Sequence, residues 1–125
     1  MNHVVDSSAW LEYFADGPNA EHFAPAIESP DTLLVPVVTL FEVFKRVAQQ
    51  RDESTALACV AVMQQGAVVD LDAALALDAA SLSLRHKLPL ADSLVYATAQ
   101  RGHAMLWTQD ADFEGLEGVR YFAKL

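Results

Sequence analysis

The apolar segments of this chain do not alternate. Val4-Val5, Leu33-Leu34-Val35, Ala67-Val68-Val69 and Ala104-Met105-Leu106 are unbroken hydrophobic runs, whereas a strand with one wet face interleaves polar residues along its length. A strand that is apolar on both sides has to be covered on both sides. That is the situation of a parallel sheet sandwiched between helices, and it excludes open meanders and sandwiches built from half-exposed strands.

The segments between the runs agree with this. HVV (3–5) is a first strand, followed by a helix over 8–15, and AEHFAPAIE (20–28) is helix-like although Pro25 weakens it. LLVPVV (33–38) is a second strand, TLFEVFKRVAQQ (39–50) an amphipathic helix, and a further helix covers 53–65. AVVDL (67–71) is a third strand, followed by a helix over 73–86 and another in LPLADSLVYATAQRG that ends at Gly102. AMLWT (104–108) is the fourth strand and VRYF (119–122) a fifth. Connections of this length between parallel strands are helical crossovers. The expectation is an α/β fold with a mainly parallel sheet of four to five strands between helices, formed as one domain over residues 1–125.

Composition narrows the function. With 53% hydrophobic and 20% charged residues the chain has the balance of a globular protein. No apolar run approaches the roughly 20 residues of a membrane span, and the first residues carry no basic, signal-like segment, so a cytoplasmic location is expected. One cysteine, Cys59, leaves no disulfide framework or thiolate metal site, and reads as a small buried apolar residue. His3, His22, His86 and His103 are scattered, without the spacing of a zinc motif. A net charge of -9 argues against broad electrostatic binding of nucleic acid. It leaves open a nucleic-acid substrate approached through bound cations.

In sheets of this kind ligands bind beyond the carboxyl ends of the strands, and acids recur at those places. Asp6 follows the first strand and Glu42 lies in the first turn of the helix after the second. Asp92 opens the helix of ADSLVYATAQ, and Asp110 follows AMLWT, with Asp112 two residues on. Each has a local explanation. Asp6 fits a helix cap, Thr39 to Glu42 fits a T-x-x-E capping box, Asp92 complements a helix dipole, and Asp110 and Asp112 fit a turn. Together the local explanations weaken. Two like charges about 4 Å apart cost about 4 kcal/mol at an effective dielectric of 20, so carboxylates that converge need a cation. An all-oxygen donor set suits Mg²⁺ or Mn²⁺. Ser7 or Ser8 would cap the first helix and leave Asp6 to the metal.

At these residues the chain resembles a PIN domain, and specifically the VapC-type toxins of type II toxin–antitoxin modules. The matching stretches are VVDSSAWLEYF, TLFEVFKRV, LPLADSLVYATAQRG and LWTQDADFEGL, in family order and spread over essentially the whole chain. The resemblance implies an α/β/α sandwich and an endoribonuclease dependent on Mg²⁺ or Mn²⁺ that cuts RNA. It implies Asp6, Glu42, Asp92 and Asp110 as the catalytic acids, with Asp112 able to share or take the fourth role and all five as metal ligands. Ser8 and Thr108 match small hydroxyl residues that support the first aspartate. Lys45 and Arg46, three and four residues beyond Glu42, are candidates for phosphate contact. A cognate VapB-type antitoxin, a homodimer, and DNA contact only through the antitoxin are further implications. Two alternatives carry different activities: a PIN-like RNA-processing nuclease without an antitoxin, and an inactive PIN-fold binding module, which retention of all the acids disfavours. There is no P-loop, GxGxxG or GxSxG motif. A phosphatase with a nucleophilic aspartate is weaker, because Asp6 lacks the second aspartate two residues on.

Overall fold

The computed structural model describes residues 1–125. Five strands form one sheet: β1 (Asn2–Val5), β2 (Leu33–Pro36), β3 (Ala67–Val69), β4 (Ala104–Thr108) and β5 (Val119–Tyr121), in the order β3-β2-β1-β4-β5 with every neighbouring pair parallel. The helices are α1 (Ser7–Phe14), α2 (Ala20–Ile27), α3 (Val37–Gln50), α4 (Glu53–Met63), α5 (Ala73–His86) and α6 (Leu90–Arg101). Two short 3-10 turns, Pro30–Thr32 and Ala111–Phe113, complete the chain.

The unbroken apolar runs of β1, β2 and β4 are explained by two cores; β3, at the edge of the sheet, enters neither, and Val68 is 38% exposed there. On one face Val5, Leu33, Val35 and Trp107 pack with Ala9, Trp10, Phe23, Val43, Ala56 and Met63 from α1 to α4. On the other, Val4, Leu106 and Ala104 pack with Leu75, Ala79, Leu82, Val95 and Tyr96 from α5 and α6. Successive strand residues point to opposite faces. Val4 and Val5 therefore feed different cores, and no position in the run tolerates a polar residue.

Several boundaries differ from the sequence reading. The second strand stops at Pro36, which has no amide hydrogen to donate onward and serves as the cap residue of α3; the helix begins at Val37, two residues earlier than expected. Glu42 therefore sits in the second turn, and the Thr39 to Glu42 capping box does not form. Thr39 is buried and donates its hydroxyl to the Pro36 carbonyl (2.7 Å). Helix α2 continues through Pro25. The third strand is shorter than expected, ending at Val69. Helix α6 ends at Gly102 as expected, but the left-handed residue is His103 (φ 49°). A Cβ at Gly102 would meet the end of the Leu34 side chain, which would have to move aside.

Helix α6 is the most deeply set, with Ser93 to Ala99 all buried. Its buried hydroxyls are satisfied within the helix, Ser93 by the Leu90 carbonyl (2.7 Å) and Thr98 by the Leu94 carbonyl (2.8 Å). Because α6 runs straight into β4, its N-terminus lies at the carboxyl edge of the sheet. The N-termini of α1 and α3, which directly follow β1 and β2, lie at the same edge.

No helix is long and apolar enough to cross a membrane. Leu106→Ala, at a position with no solvent exposure, is expected to destabilise the chain by about 2–5 kcal/mol. Leu125→Ala, at a position 85% exposed, is expected to change stability by less than about 0.5 kcal/mol. Urea melts of the two variants against wild type check both.

Candidate metal and nuclease site

The strand order reverses direction between β1 and β4, and the chain leaves both strands at residues that carry carboxylates. Asp6 follows β1 and is 4% exposed. Its backbone amide continues the ladder by donating to the Trp107 carbonyl (3.1 Å). One carboxylate oxygen accepts the Ala9 amide (3.0 Å) and the Ser8 hydroxyl (2.8 Å), and the other accepts the Thr108 hydroxyl (2.8 Å). Of the two readings of VVDSS, the cap at Asp6 holds and the cap at Ser7 or Ser8 does not. Asp6 itself caps α1, Ser8 steadies Asp6, and Ser7 donates instead to Glu42 on α3. Capping by Asp6 gives a carboxylate lone pair to an N–H that has no partner within the helix.

Thr108 serves two neighbours, since its hydroxyl also accepts the Asp110 amide (2.9 Å). Asp110 then caps the turn that follows by accepting the Asp112 amide (2.9 Å). Asp92, in the first turn of α6, completes the group. One carboxylate oxygen from each of Asp92, Asp110 and Asp112 lies within 4.8 Å of the others. A cleft of about 320 Å³ is lined by Asp6, Glu42, Arg46, Asp92 and Asp110, with Ser7, Ser8, Leu11 and Val95 completing its walls.

Every acid singled out in the sequence is therefore at this edge, though not in one shell. Glu42 lines the cleft but stands apart from the Asp92, Asp110 and Asp112 group, held by Ser7. Arg46 lines the cleft as well. Lys45 does not: it lies over the Phe41 ring (5.7 Å) and lines a different groove. Of the two basic residues, Arg46 alone lines the cleft. Asn19 and Gln109, which bond to each other (3.1 Å) without lining the cleft, have no motif that marks them in the sequence. The one available signal was that Gln109 separates Thr108 from Asp110.

The electrostatics of the cleft are those of excess negative charge. Burial raises the Asp6 carboxyl to about 6 against the hydrogen bonds from Thr108, Ala9 and Ser8, with Asp110 pushing the same way as burial. Burial first, then Asp110, the bond to Asp112 and the charge of Asp6 raise Asp92 to about 8. Hard oxygen donors at this spacing, with no histidine or cysteine among them and in need of positive charge, fit a divalent cation of the Mg²⁺ or Mn²⁺ type.

A carboxyl raised in the folded state favours folding while it is protonated. Its contribution is present below the unfolded value near 4 and lost as pH rises through the folded one. The chain in EDTA is therefore expected to lose stability between about pH 4 and 8, with the Asp6 share centred below 6 and the Asp92 share extending to about 8. Asp92→Asn should raise the melting temperature at pH 8 by an amount worth of order 1 kcal/mol, screening by solvent allowed for. At pH 4.5 it should change little, and melts at the two pH values compare the effects.

Comparison with known proteins follows the same line. Among solved structures, the fold is similar to a toxin–antitoxin complex from Klebsiella pneumoniae (TM-score 0.83, 20% identity, 99% of this chain and 100% of that one). It is also similar to VapC20 from Mycobacterium tuberculosis, described as a sarcin-ricin loop cleaving toxin (TM-score 0.76, 18% identity, 93% and 95%). A third is DNA-bound VapBC from Salmonella typhimurium (TM-score 0.70, 17% identity, 98% of each chain). At these identities the likeness is one of fold. No curated protein matches the sequence. The family model of the PIN domain matches residues 3–119, so that sheet order, carboxylate edge and sequence agree, and the chain belongs to the PIN domain family.

Proposed function

We propose that the chain is an endoribonuclease dependent on Mg²⁺ or Mn²⁺, and that it is the toxin of a type II toxin–antitoxin module held in check by a VapB-type antitoxin. The observation that carries the reading is the convergence of Asp6, Glu42, Asp92, Asp110 and Asp112 on one edge of the sheet, with burial and mutual repulsion raising Asp6 and Asp92. Likeness in fold to VapC and VapBC proteins supports the toxin role and the antitoxin partner.

Asp92, Asp110 and Asp112 would hold the cation, with Asp6 behind them. The bound cation would lower the pKa of water and offset charge that builds on a phosphate during displacement. The chain's own residues do the rest. Thr108 and Ser8 fix the Asp6 carboxylate in one orientation. Glu42, held by the Ser7 hydroxyl, would accept a proton from an attacking water. Arg46 supplies the cleft's own cation for a backbone phosphate. Because protons and cations compete for the same carboxylates, the apparent affinity for Mn²⁺ rises with pH across the range in which Asp6 and Asp92 titrate.

Two surfaces suit the partners. A groove of about 660 Å³ along α3 and α4, lined by Leu40, Phe41, Phe44, Ala48 and Val60, fits an amphipathic segment of the antitoxin. DNA would be met only through that partner, given the net charge of -9. On α5, Leu77 and Leu84 are 72% and 86% exposed and seven residues apart, so they share one stripe. Asp78 lies in the first half of this helix and Arg85, His86 and Lys87 at its end, while Asp72 is paired with Arg101 of the same chain. Antiparallel contact with a second copy would oppose acid to base, which favours a homodimer through this face.

Asp92→Asn is expected to remove Mn²⁺-dependent cleavage of RNA and growth inhibition on expression while leaving the circular dichroism spectrum unchanged. Cleavage at wild-type rate in that variant would refute the site. Leu84→Glu is expected to convert a particle of twice the chain mass into one of the chain mass by light scattering, and an unchanged mass would refute the α5 dimer.

A further inference from the structure

The acids are not held with equal security. Asp6 is buried under bonds from Ala9, Ser8 and Thr108, and Asp92 rides on the buried helix α6. Asp110 and Asp112 sit on the turn after β4, where their backbone bonds are local: Asp110 amide to Thr108 hydroxyl and Asp112 amide to Asp110 carboxylate. Outside the acidic group itself, where Asp112 bonds Asp92, the long-range hydrogen bonds of residues 109–112 belong to Gln109, whose backbone amide donates to the Ser8 hydroxyl (3.4 Å). The Gln109 side-chain oxygen accepts the Asn19 side-chain amide at 3.1 Å, at the start of α2.

This contact is a built feature. Asn19 is 2% exposed and Gln109 8% exposed. The same Asn19 nitrogen donates to the Ala123 carbonyl (2.9 Å), and the Asn19 backbone amide donates to the Glu12 carboxylate (2.8 Å). The Phe122 amide donates to the Thr108 carbonyl (2.9 Å), so the tail and the end of β4 are tied at adjacent residues. In extended chain, successive side chains point to opposite sides, and Asp110 is still extended (φ -86°, ψ 120°). With Thr108 and Asp110 directed toward Asp6 and the cleft, Gln109 is directed away from it, where Asn19 pins it. A bond between neutral amides in a water-poor site leaves unsatisfied groups when either partner is removed, so it resists opening.

We propose that Asn19 and Gln109 are positioning residues, a buried amide clamp that fixes the turn bearing Asp110 and Asp112 and thereby sets the geometry in which these carboxylates take a divalent cation. This rests on reading the cleft as a metal site. Supporting residues behind metal ligands commonly change affinity by about 10–100-fold when removed, and the clamp acts by the same route at one remove, through the backbone of residue 109.

The test uses the full chain with Asn19→Ala and, as a variant that fills the same space without the amide, Gln109→Met. In EDTA, amide hydrogen exchange at Asp110 and Phe113 is expected to speed by roughly tenfold in both, while the amides of Val5 and Leu106 keep their wild-type protection. Half-saturation by Mn²⁺, followed by water proton relaxation, is expected to rise roughly tenfold. Gln109→Glu keeps the oxygen that Asn19 requires and should retain the slow exchange. Unchanged exchange at Asp110 and Phe113 overturns the proposal. So does a uniform loss of protection with Mn²⁺ half-saturation unaltered, which is the signature of a merely structural role. If the wild-type chain takes up no Mn²⁺, the reading of the cleft fails first, and the exchange measurement alone decides whether the clamp holds the turn.

Discussion

The carboxylate of Asp6 is the point through which the rest of the site is connected. It ends β1, starts α1 by accepting the Ala9 amide, and crosses to β4 through the Thr108 hydroxyl. An aspartate can do all three because it is short, accepts on two oxygens, and carries a charge that strengthens each bond. The cost is that the charge is buried at 4% exposure, and its three kinds of donor do not offset burial fully, as its upward shift to about 6 records. Fold and chemistry thus compete over the same group.

That competition sets the architecture of the edge. Asp92 is brought there by α6, whose burial leaves its first turn little freedom to retreat, and Asp110 and Asp112 by the turn after β4. The positive ends of α1 and α6 lie at this edge and soften the repulsion by fractions of a kcal/mol to about 1 kcal/mol each. Like charges at contact distance cost several times that. The helix ends alone leave Asp92 raised to about 8. A divalent cation is the simplest group of sufficient charge that matches an all-oxygen donor set.

Much of this was legible in the sequence for two separable reasons. Unbroken apolar runs such as Val4-Val5 state that a strand is covered on both faces, and the two cores bear that out for β1, β2 and β4, whereas the same pattern in β3 belongs to an edge strand that stays exposed. Acids directly after such runs state that they stand at the carboxyl edge, because a strand's end fixes position along the sheet to within a residue. What was not legible depends on rotation about an axis or on partners far apart in the chain. Ser7 and Ser8 are adjacent and chemically alike, and only the helix turn decides that Ser7 meets Glu42 while Ser8 meets Asp6. Thr39 and Glu42 had the spacing of a capping box, yet Pro36 started the helix earlier and left Thr39 inside it. Asn19 and Gln109 are 90 residues apart, and no local pattern joins two buried amides.

Helix α3 shows what rotation decides. Three rows of residues four apart run side by side along it, each about 100° around the axis from the next. Val43 and Val47 are buried in the core beneath the sheet. Glu42 and Arg46 line the acidic cleft, an acid and a base within one turn of each other. Phe41 and Lys45 line the apolar groove, where Phe41 is 64% exposed with the Lys45 ammonium over its ring. A shift of one residue in register would exchange the groove for the cleft. The rotation of the helix, held by the buried Val43 and Val47, decides which row meets which surface. It also follows that a ligand seated in the groove presses on the helix that supplies one wall of the cleft. The two surfaces share a rigid element anchored by Val43 and Val47, and what fixes α3 in one orientation fixes both.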